Sequence, residues 1–254
     1  MRGSPVTERT TQANTAELKT TSARAGSAPG AVRSVVGHLI LADWRLHRLQ
    51  ILVTLIAGAI AMAVFQLGGE KAMVVGSVWY FIALIMIGHM LPITAIVNER
   101  KNQNLAFLMS LPVSSIQYTT AKLVSTLGIF LVPWFILVIS AMLSIATRST
   151  VPHGVIPVLL ILAMLPFVGF SIIAGAALVG ESEGWGIAAN VFCSSSYGLT
   201  WYFMTTIPGL MIDAQKPVPV WSHTVRLILG AEFGAIVLIL GVTYYLQSRK
   251  RDFI

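Results

Sequence analysis

Charge is what this sequence has least of: only 11% of its 254 residues are charged, against roughly 25% in ordinary soluble domains. Hydrophobic residues make up 56% of the chain. So few charges could not cover the surface of a water-soluble fold. The scarcity excludes a soluble enzyme, a disordered chain and a nucleic-acid-binding domain, and it favours an all-α polytopic membrane protein.

Cysteine is nearly absent, and no other set of metal-ligand residues takes its place. Cys193 is the only cysteine, which excludes an internal disulfide and a cysteine-rich metal site. No two His or carboxylate residues have metal-ligand spacing, and no H-E-x-x-H occurs. The Walker A pattern G-x-x-x-x-G-K-[ST] is missing as well. Any nucleotide chemistry would therefore belong to a separate protein, and we expect no metal bound by this chain.

Long hydrophobic runs are abundant and predict the domain organisation. Residues 1–30 are rich in Thr, Ala, Ser and Gly, and they predict a disordered cytoplasmic tail. Residues 31–254 form the predicted transmembrane domain. It begins with an amphipathic interfacial helix at 32–48, where charged residues interrupt an apolar pattern at helical spacing. The six spans that follow lie at about 49–67, 72–97, 123–147, 155–180, 187–212 and 227–246.

The basic residues predict the orientation of these spans. Of the 17 Lys and Arg residues, seven precede residue 49, three lie in the 98–122 loop and three lie in the C-terminal tail. The remaining four fall in the loops of the opposite face. Because basic residues collect on the cytoplasmic side, six spans place both termini in the cytoplasm. The expected location is a cell inner (plasma) membrane, crossed several times.

The loop after the second span, residues 98–123, is the most informative stretch of the sequence. It is long for a connection between two membrane helices. A charged cluster opens it, and apolar residues then lie on one helical face until Pro112 ends the helix. Such a surface helix either docks into a groove on a soluble partner or only touches lipid headgroups. Its candidate contact residues are Glu99, Arg100, Lys101, Leu105, Leu108 and Met109.

This loop also carries a family resemblance. An acidic residue, a basic cluster and then LAFLMSLPVSSIQYTTAKL resemble the pattern that follows span two in ABC-2 type ABC-transporter permeases. The ending QSRKRDFI resembles the short basic tail of these permeases, and the 32–48 helix resembles their elbow helix. The resemblance covers about residues 31–254.

The resemblance implies a set of partners. A permease of this family pairs with a second permease copy, as a homodimer or a heterodimer, and with two separate ABC ATPase subunits. ATP and Mg are then bound and used by the ATPases, so this chain would be no enzyme and would bind no cofactor itself. The loop helix would be the coupling helix on the ATPase. The turn holding Glu181 and Glu183 would be a second cytoplasmic contact.

Polar residues inside the spans are the candidates for the translocation path. In span five they recur at i, i+4, i+7 and i+11, a face that either bonds to a neighbouring helix or lines the path. In the resembled family, spans one, two and five line it. Two further candidates lie in spans two and six, which are otherwise apolar. The path candidates are Asn190, Ser194, Tyr197, Trp201, His89 and Glu232.

Span six contains a carboxylate and a glycine pair on opposite sides. Glu232 lies about 8 Å from the predicted outer end of the span. It either snorkels to the outer interface or faces a cavity or another helix as a functional acid. Gly230 and Gly234 form a G-x-x-x-G pattern, which predicts close helix packing.

The favoured function is thus the permease subunit of an ATP-driven exporter, with a small amphipathic compound, peptide or lipid as substrate. One alternative is an integral membrane scaffold or immunity protein that binds a partner without transport. Another is a membrane-embedded enzyme around His89 and Glu232, for which the spans offer no obvious second catalytic group.

Overall fold

The computed structural model describes residues 29–97, 115–180 and 183–249. These residues form seven α-helices and one π-helical turn, and they contain no β-strand. The π-helical turn, Ile93–Val97, extends α2. The helices are α1 (Pro29–Gln66), α2 (Glu70–Pro92), α3 (Ser115–Ala146), α4 (Val155–Val179), α5 (Glu183–Thr206), α6 (Leu210–Ala214) and α7 (His223–Arg249).

Five of these helices are long and apolar enough to cross a membrane, which confirms an all-α, multi-pass membrane protein. Three of the five differ from their helix bounds: the second includes the π-helical turn, and the first and third begin inside α1 and α3. The five stretches are Ile40–Gln66, Glu70–Val97, Thr119–Ala146, Val155–Val179 and His223–Arg249. They match five of the six predicted spans, with ends that differ by a few residues except at the start of the first.

The core lies between α2, α3 and α4. Phe130 of α3 stacks on Phe170 of α4 with ring centroids 4.5 Å apart, and both are fully buried. The indole Nε1 of Trp134 donates to the Ala163 carbonyl oxygen at 2.8 Å. That bond satisfies the one polar atom of a large buried side chain, as an apolar setting requires. These contacts tie α3 to α4 in the middle of the bundle.

The flanking helices α1 and α7 approach the core where it carries glycine. A Cβ on Gly76 of α2 would lie 2.6 Å from the backbone nitrogen of Phe65, so α1 and α2 touch backbone to backbone there. A Cβ on Gly175 of α4 would lie 2.6 Å from Oγ1 of Thr243 in α7. Small residues let helix backbones approach closely. The resulting van der Waals contacts stabilise helix association in lipid, where the hydrophobic effect does not drive it.

α5 runs antiparallel to α4 along its whole length. Near its start, a Cβ on Gly186 would lie 3.7 Å from the Cβ of Ala177, close to the end of α4. Near its end, Met204 packs with Val158 and Ile161 from the beginning of α4. At 24 residues α5 is about 36 Å long, which exceeds the roughly 30 Å thickness of a bilayer core. It is less apolar than the five helices above, so it is not among them.

Two predicted boundaries differ from the structure. No break separates the interfacial helix at 32–48 from span one, because α1 is continuous and residues 38–57 contain no Gly or Pro. Predicted span five was too long: α5 ends at Thr206, because Pro208 cannot continue the helix and Gly209 has a φ of +84°.

Candidate functional site

His89 is buried at the centre of a polar cluster that joins α2 to α5. Its ring atom Nδ1 lies 2.7 Å from Oδ1 of Asn190, and Nε2 lies 2.6 Å from the hydroxyl of Tyr197. The Ser194 hydroxyl lies 3.3 Å from Nδ1. We call His89, Asn190, Ser194 and Tyr197 the His89 cluster. The structure thus brings together four of the six residues that the sequence proposed for the translocation path.

The hydrogen bonds define the state of the imidazole. An amide oxygen can only accept, so Nδ1 carries the proton and donates it to Asn190. Nε2 of the neutral ring then accepts from the Tyr197 hydroxyl. Both ring nitrogens are therefore occupied, and the amide of Asn190 cannot take up a proton. The arrangement holds α2 and α5 together, and the lone pair of Nε2 is engaged by the Tyr197 hydroxyl.

Gly169 of α4 makes room for this cluster. A Cβ built there would lie 2.7 Å from the Tyr197 hydroxyl oxygen and 3.0 Å from Nε2 of His89. Directly before His89 on α2, a Cβ on Gly88 would lie 2.7 Å from the Pro166 carbonyl oxygen. The backbone of α4 thus lies directly under the meeting point of α2 and α5, and any side chain at position 169 would push the cluster apart.

The rest of the polar side of α5 is used locally. The hydroxyl groups of Ser195, Ser196, Thr200, Thr205 and Thr206 each donate to a carbonyl of the same helix. Trp201, the fourth residue of the predicted face, makes none of the contacts of the His89 cluster and is 53% exposed. The face therefore has a bonded part around His89 and an uncovered part around Trp201.

Glu232 lies further from the start of its helix than the predicted span implied. α7 begins at His223, nine residues or about 14 Å before the carboxylate. Its Oε2 atom is buried and has no hydrogen-bond partner in the part of the chain that the structure describes. No hydrogen bond among the described residues joins it to His89, so the two candidates of the enzyme alternative do not form one site.

The predicted packing role of the glycine pair is not seen within this chain. A Cβ on Gly230 or on Gly234 would meet no atom within 4 Å in the structure as described. Both glycines lie on the exposed side of α7, whereas Glu232 lies on the side that faces the bundle. The glycine pair and Glu232 thus point in opposite directions on α7. The close approach between helices occurs instead at Gly175, on α4.

A second polar site, which the sequence reasoning missed, lies where α1 meets α3. Nζ of Lys122 is 3.2 Å from Oδ1 of Asp43, and the Ser125 hydroxyl donates to Oδ2 of Asp43 at 2.7 Å. Lys122 is only 5% exposed, so this ion pair is buried. The signal in the sequence was a pair of opposite charges, Asp43 and Lys122, each beside an apolar run and 79 residues apart.

A third contact completes this arrangement on α1. Two turns after Asp43, the side-chain oxygen Oε1 of Gln50 accepts a hydrogen bond from Thr94 at 3.2 Å. Thr94 lies in the π-helical turn that ends α2, and Lys122 lies near the start of α3. α1 therefore holds the residues on both sides of the 98–114 segment. We call the contacts Asp43–Lys122, Asp43–Ser125 and Gln50–Thr94 the α1 clamp.

Most of the predicted contact residues for an ATPase lie outside the described residues. Glu183 begins α5 and is exposed, at the same end of the bundle as the π-helical turn. For the other positions the predictions stand as made. They are Glu99, Arg100, Lys101, Leu105, Leu108, Met109 and Glu181.

Within residues 29–97, 115–180 and 183–249, no group of three or more His, Cys, Asp or Glu could hold a metal ion. Comparisons of the chain with protein-family models, with curated proteins and with solved structures find no match.

Proposed function

We propose that this chain is the transmembrane subunit of an ATP-driven exporter of the ABC-2 type, in an inner membrane. The observation that carries the proposal is the 98–123 motif, together with its place between two helices of a multi-pass bundle. If α5 crosses the membrane, the end of α2 and the start of α3, which flank the motif, lie on the side that holds thirteen of the 17 basic residues. The ATP and Mg would be bound by two partner ATPases.

The geometry of α5 supports six spans. α5 lies antiparallel to α4 from one end to the other, and it is long enough to cross the bilayer. Its hydroxyl groups donate to its own backbone, which lowers the cost of placing them in lipid. With α5 as a span, the basic tail after α7 lies on the same side as the 98–123 loop. With five spans the tail would lie outside, against the charge rule.

The α1 clamp supports the coupling role of the loop. An element that passes force from a soluble partner to membrane helices needs rigid anchors at both of its ends. Here Thr94 and Lys122 are held by the same helix, through Gln50 and the buried Asp43. In the proposal, a displacement of the loop by the ATPase would move α1 as well as α2 and α3. Glu181 and Glu183 would supply the second cytoplasmic contact.

Pairing with a second copy explains the uncovered aromatic side of α5. Phe192, Trp201, Tyr202 and Phe203 are all more than half exposed in the single chain. In the proposed dimer, this side of α5 and the exposed side of α1 border the path or the partner copy. An aromatic and hydroxyl-bearing surface suits a small amphipathic compound, peptide or lipid, and that substrate class is part of the proposal.

The competing functions receive less support. A membrane-embedded enzyme around His89 and Glu232 would need both groups at one site, and no hydrogen bond among the described residues joins them. A scaffold or immunity protein needs no clamp on the loop, but no contact in the structure argues against it. It stays the alternative that the following experiment must separate from the exporter.

The test uses variants of the loop in cells that carry the partner ATPase. Charge reversal at Glu99 or Arg100, or Leu108→Asp, is expected to lower ATP hydrolysis in the purified complex and to abolish export, with normal insertion. Glu70→Lys is the matched control, because Glu70 begins α2 at the other end of the bundle and is exposed. Unchanged ATP hydrolysis and export in all three loop variants would contradict the coupling role.

A further inference from the structure

Glu232 lies in the seam between α7 and the rest of the bundle. The residues of α7 that face inward recur at helical spacing and include Val225, Ile236, Thr243 and Gln247, all buried. Glu232 falls in the same stripe, seven residues after Val225 and four before Ile236. Further along this stripe, Gln247 donates to the Leu178 carbonyl of α4 and Thr243 lies against Gly175. The carboxyl group is thus directed into the contact between helices rather than toward lipid.

Among the described residues, no cationic side chain forms an ion pair with this carboxyl group. α7 packs chiefly on α4 and α3. The sequence of α4, Val155–Val179, contains no Asp, Glu, Lys, Arg or His. In α3 the charged residue is Lys122, which lies at the opposite end of the bundle and pairs with Asp43. On α7 itself, Arg226 lies six residues earlier, about 240° around the helix.

Burial without a counter-ion decides which form of the acid this seam can hold. An ionised carboxylate in apolar surroundings costs several kcal/mol, whereas the neutral acid costs far less. A metal cation is a poor alternative, because Ca²⁺ and Mg²⁺ require about six oxygen ligands and one carboxyl group supplies two. A proton is the one cation that a single carboxyl oxygen satisfies by itself. The geometry therefore selects a proton as the ligand.

We propose that Glu232 is a membrane-embedded proton-binding site, which the closed seam between α7 and the bundle accommodates only as a neutral carboxylic acid. Loss of the proton to water would leave a carboxylate that the closed seam cannot accommodate, so release requires α7 to move away from α4 or water to enter. Ionisable residues within spans commonly mark proton pathways. The proposal goes beyond the exporter function and does not depend on it, since it concerns this chain alone.

A carbodiimide separates a neutral acid in an apolar seam from an ionised carboxylate in water. The reagent adds only to the protonated carboxyl group and forms a stable N-acylurea, which mass spectrometry locates in the chain. The intact protein in lipid nanodiscs would be treated with dicyclohexylcarbodiimide, which partitions into lipid, or with a water-soluble carbodiimide. Asp43 is the internal control for a buried but paired carboxylate, and Glu70 is the control for an exposed one.

At neutral pH the lipid-soluble reagent is expected to label Glu232, with little label on Asp43. The water-soluble reagent is expected to label Glu70 more than Glu232. Above the titration midpoint of Glu232 the labelled fraction falls about tenfold per pH unit. Glu232→Gln removes the label from that peptide. Absence of label on Glu232 with the lipid-soluble reagent, or equal label on Glu232 and Asp43, would overturn the proposal. Neither result depends on an ATPase or on transport, so the exporter function would stand or fall separately.

Discussion

Replacing Gly169 by alanine tests whether the His89 cluster holds α5 to the bundle. The new methyl group would lie 2.7 Å from the Tyr197 hydroxyl oxygen and 3.0 Å from Nε2 of His89. Ordinary contacts of a Cβ atom are longer than 3.4 Å, so both partners must give way together. They cannot do so while keeping their 2.6 Å hydrogen bond over the same backbone position.

The expected cost follows from two known effects. Overpacking by one methyl group costs about 1–3 kcal/mol in the free energy of unfolding. Removal of a hydrogen bond between membrane helices costs about 0.6 kcal/mol on average, with a maximum near 1.7 kcal/mol. We therefore expect Gly169→Ala to lower stability by about 2 kcal/mol, and Tyr197→Phe by about 1 kcal/mol.

The two changes should not add. Tyr197→Phe removes the oxygen that the alanine methyl group would strike, so the double variant should lose about 1 kcal/mol less than the sum of the single variants. Reversible unfolding in mixed detergent micelles, followed by circular dichroism, measures the three values. Gly128→Ala is the matched control, because a Cβ at that position meets no atom within 4 Å among the described residues. It should leave stability unchanged or raise it slightly.

Additive losses would refute the reasoning. If the double variant equals the sum of the single variants within about 0.5 kcal/mol, Gly169 and Tyr197 do not touch. A loss in Gly128→Ala as large as that in Gly169→Ala would show that any methyl group in these helices destabilises, and the close contact would explain nothing.

Two further predictions use the same unfolding measurement. Asp43→Asn should cost about 3–5 kcal/mol, since it leaves the buried Lys122 ammonium without its carboxylate. Asp213→Asn is the control, because its partner Lys216 is 48% exposed; it should cost no more than about 1 kcal/mol, and equal losses would contradict a buried Lys122 pair. Gly175→Ala should cost about 1–3 kcal/mol through its clash with the Thr243 hydroxyl, and adding Thr243→Ala should restore most of that stability. If the double variant is no more stable than Gly175→Ala, the two residues are not in contact.

The sequence predicted the helices better than their ends. Hydrophobic runs identify α2, α3, α4 and α7, because a predominantly apolar segment of about 25 residues is long enough to cross a bilayer as a helix. The interfacial helix and span one lie on one continuous helix, α1, since charged residues alone do not end a helix when no Gly or Pro supports a change of direction. The interfacial placement of 32–48 stays a prediction. The fifth span was predicted too long because its apolar run continues past Pro208 and Gly209, which end the helix.

The candidate site was half visible in the sequence. Helical periodicity placed Asn190, Ser194 and Tyr197 on one face of α5, and the structure has them on one side around His89. Periodicity assigns residues to a face but not to a partner, and His89 lies 108 positions before Tyr197. The Asp43–Lys122 pair was missed for the same reason, because spacing rules reach one or two turns and this contact joins separate helices.

The central claim, that this chain forms the membrane half of an ATP-driven exporter, is tested most directly by the composition of its complex. Tagged protein would be purified from its native host in several mild detergents, and the intact particle weighed by native mass spectrometry and assayed for ATP hydrolysis. The account predicts two copies of the chain, or one copy with a related permease, together with two P-loop ATPase subunits that hydrolyse ATP. Recovery of the chain without an ATPase in every detergent would contradict it.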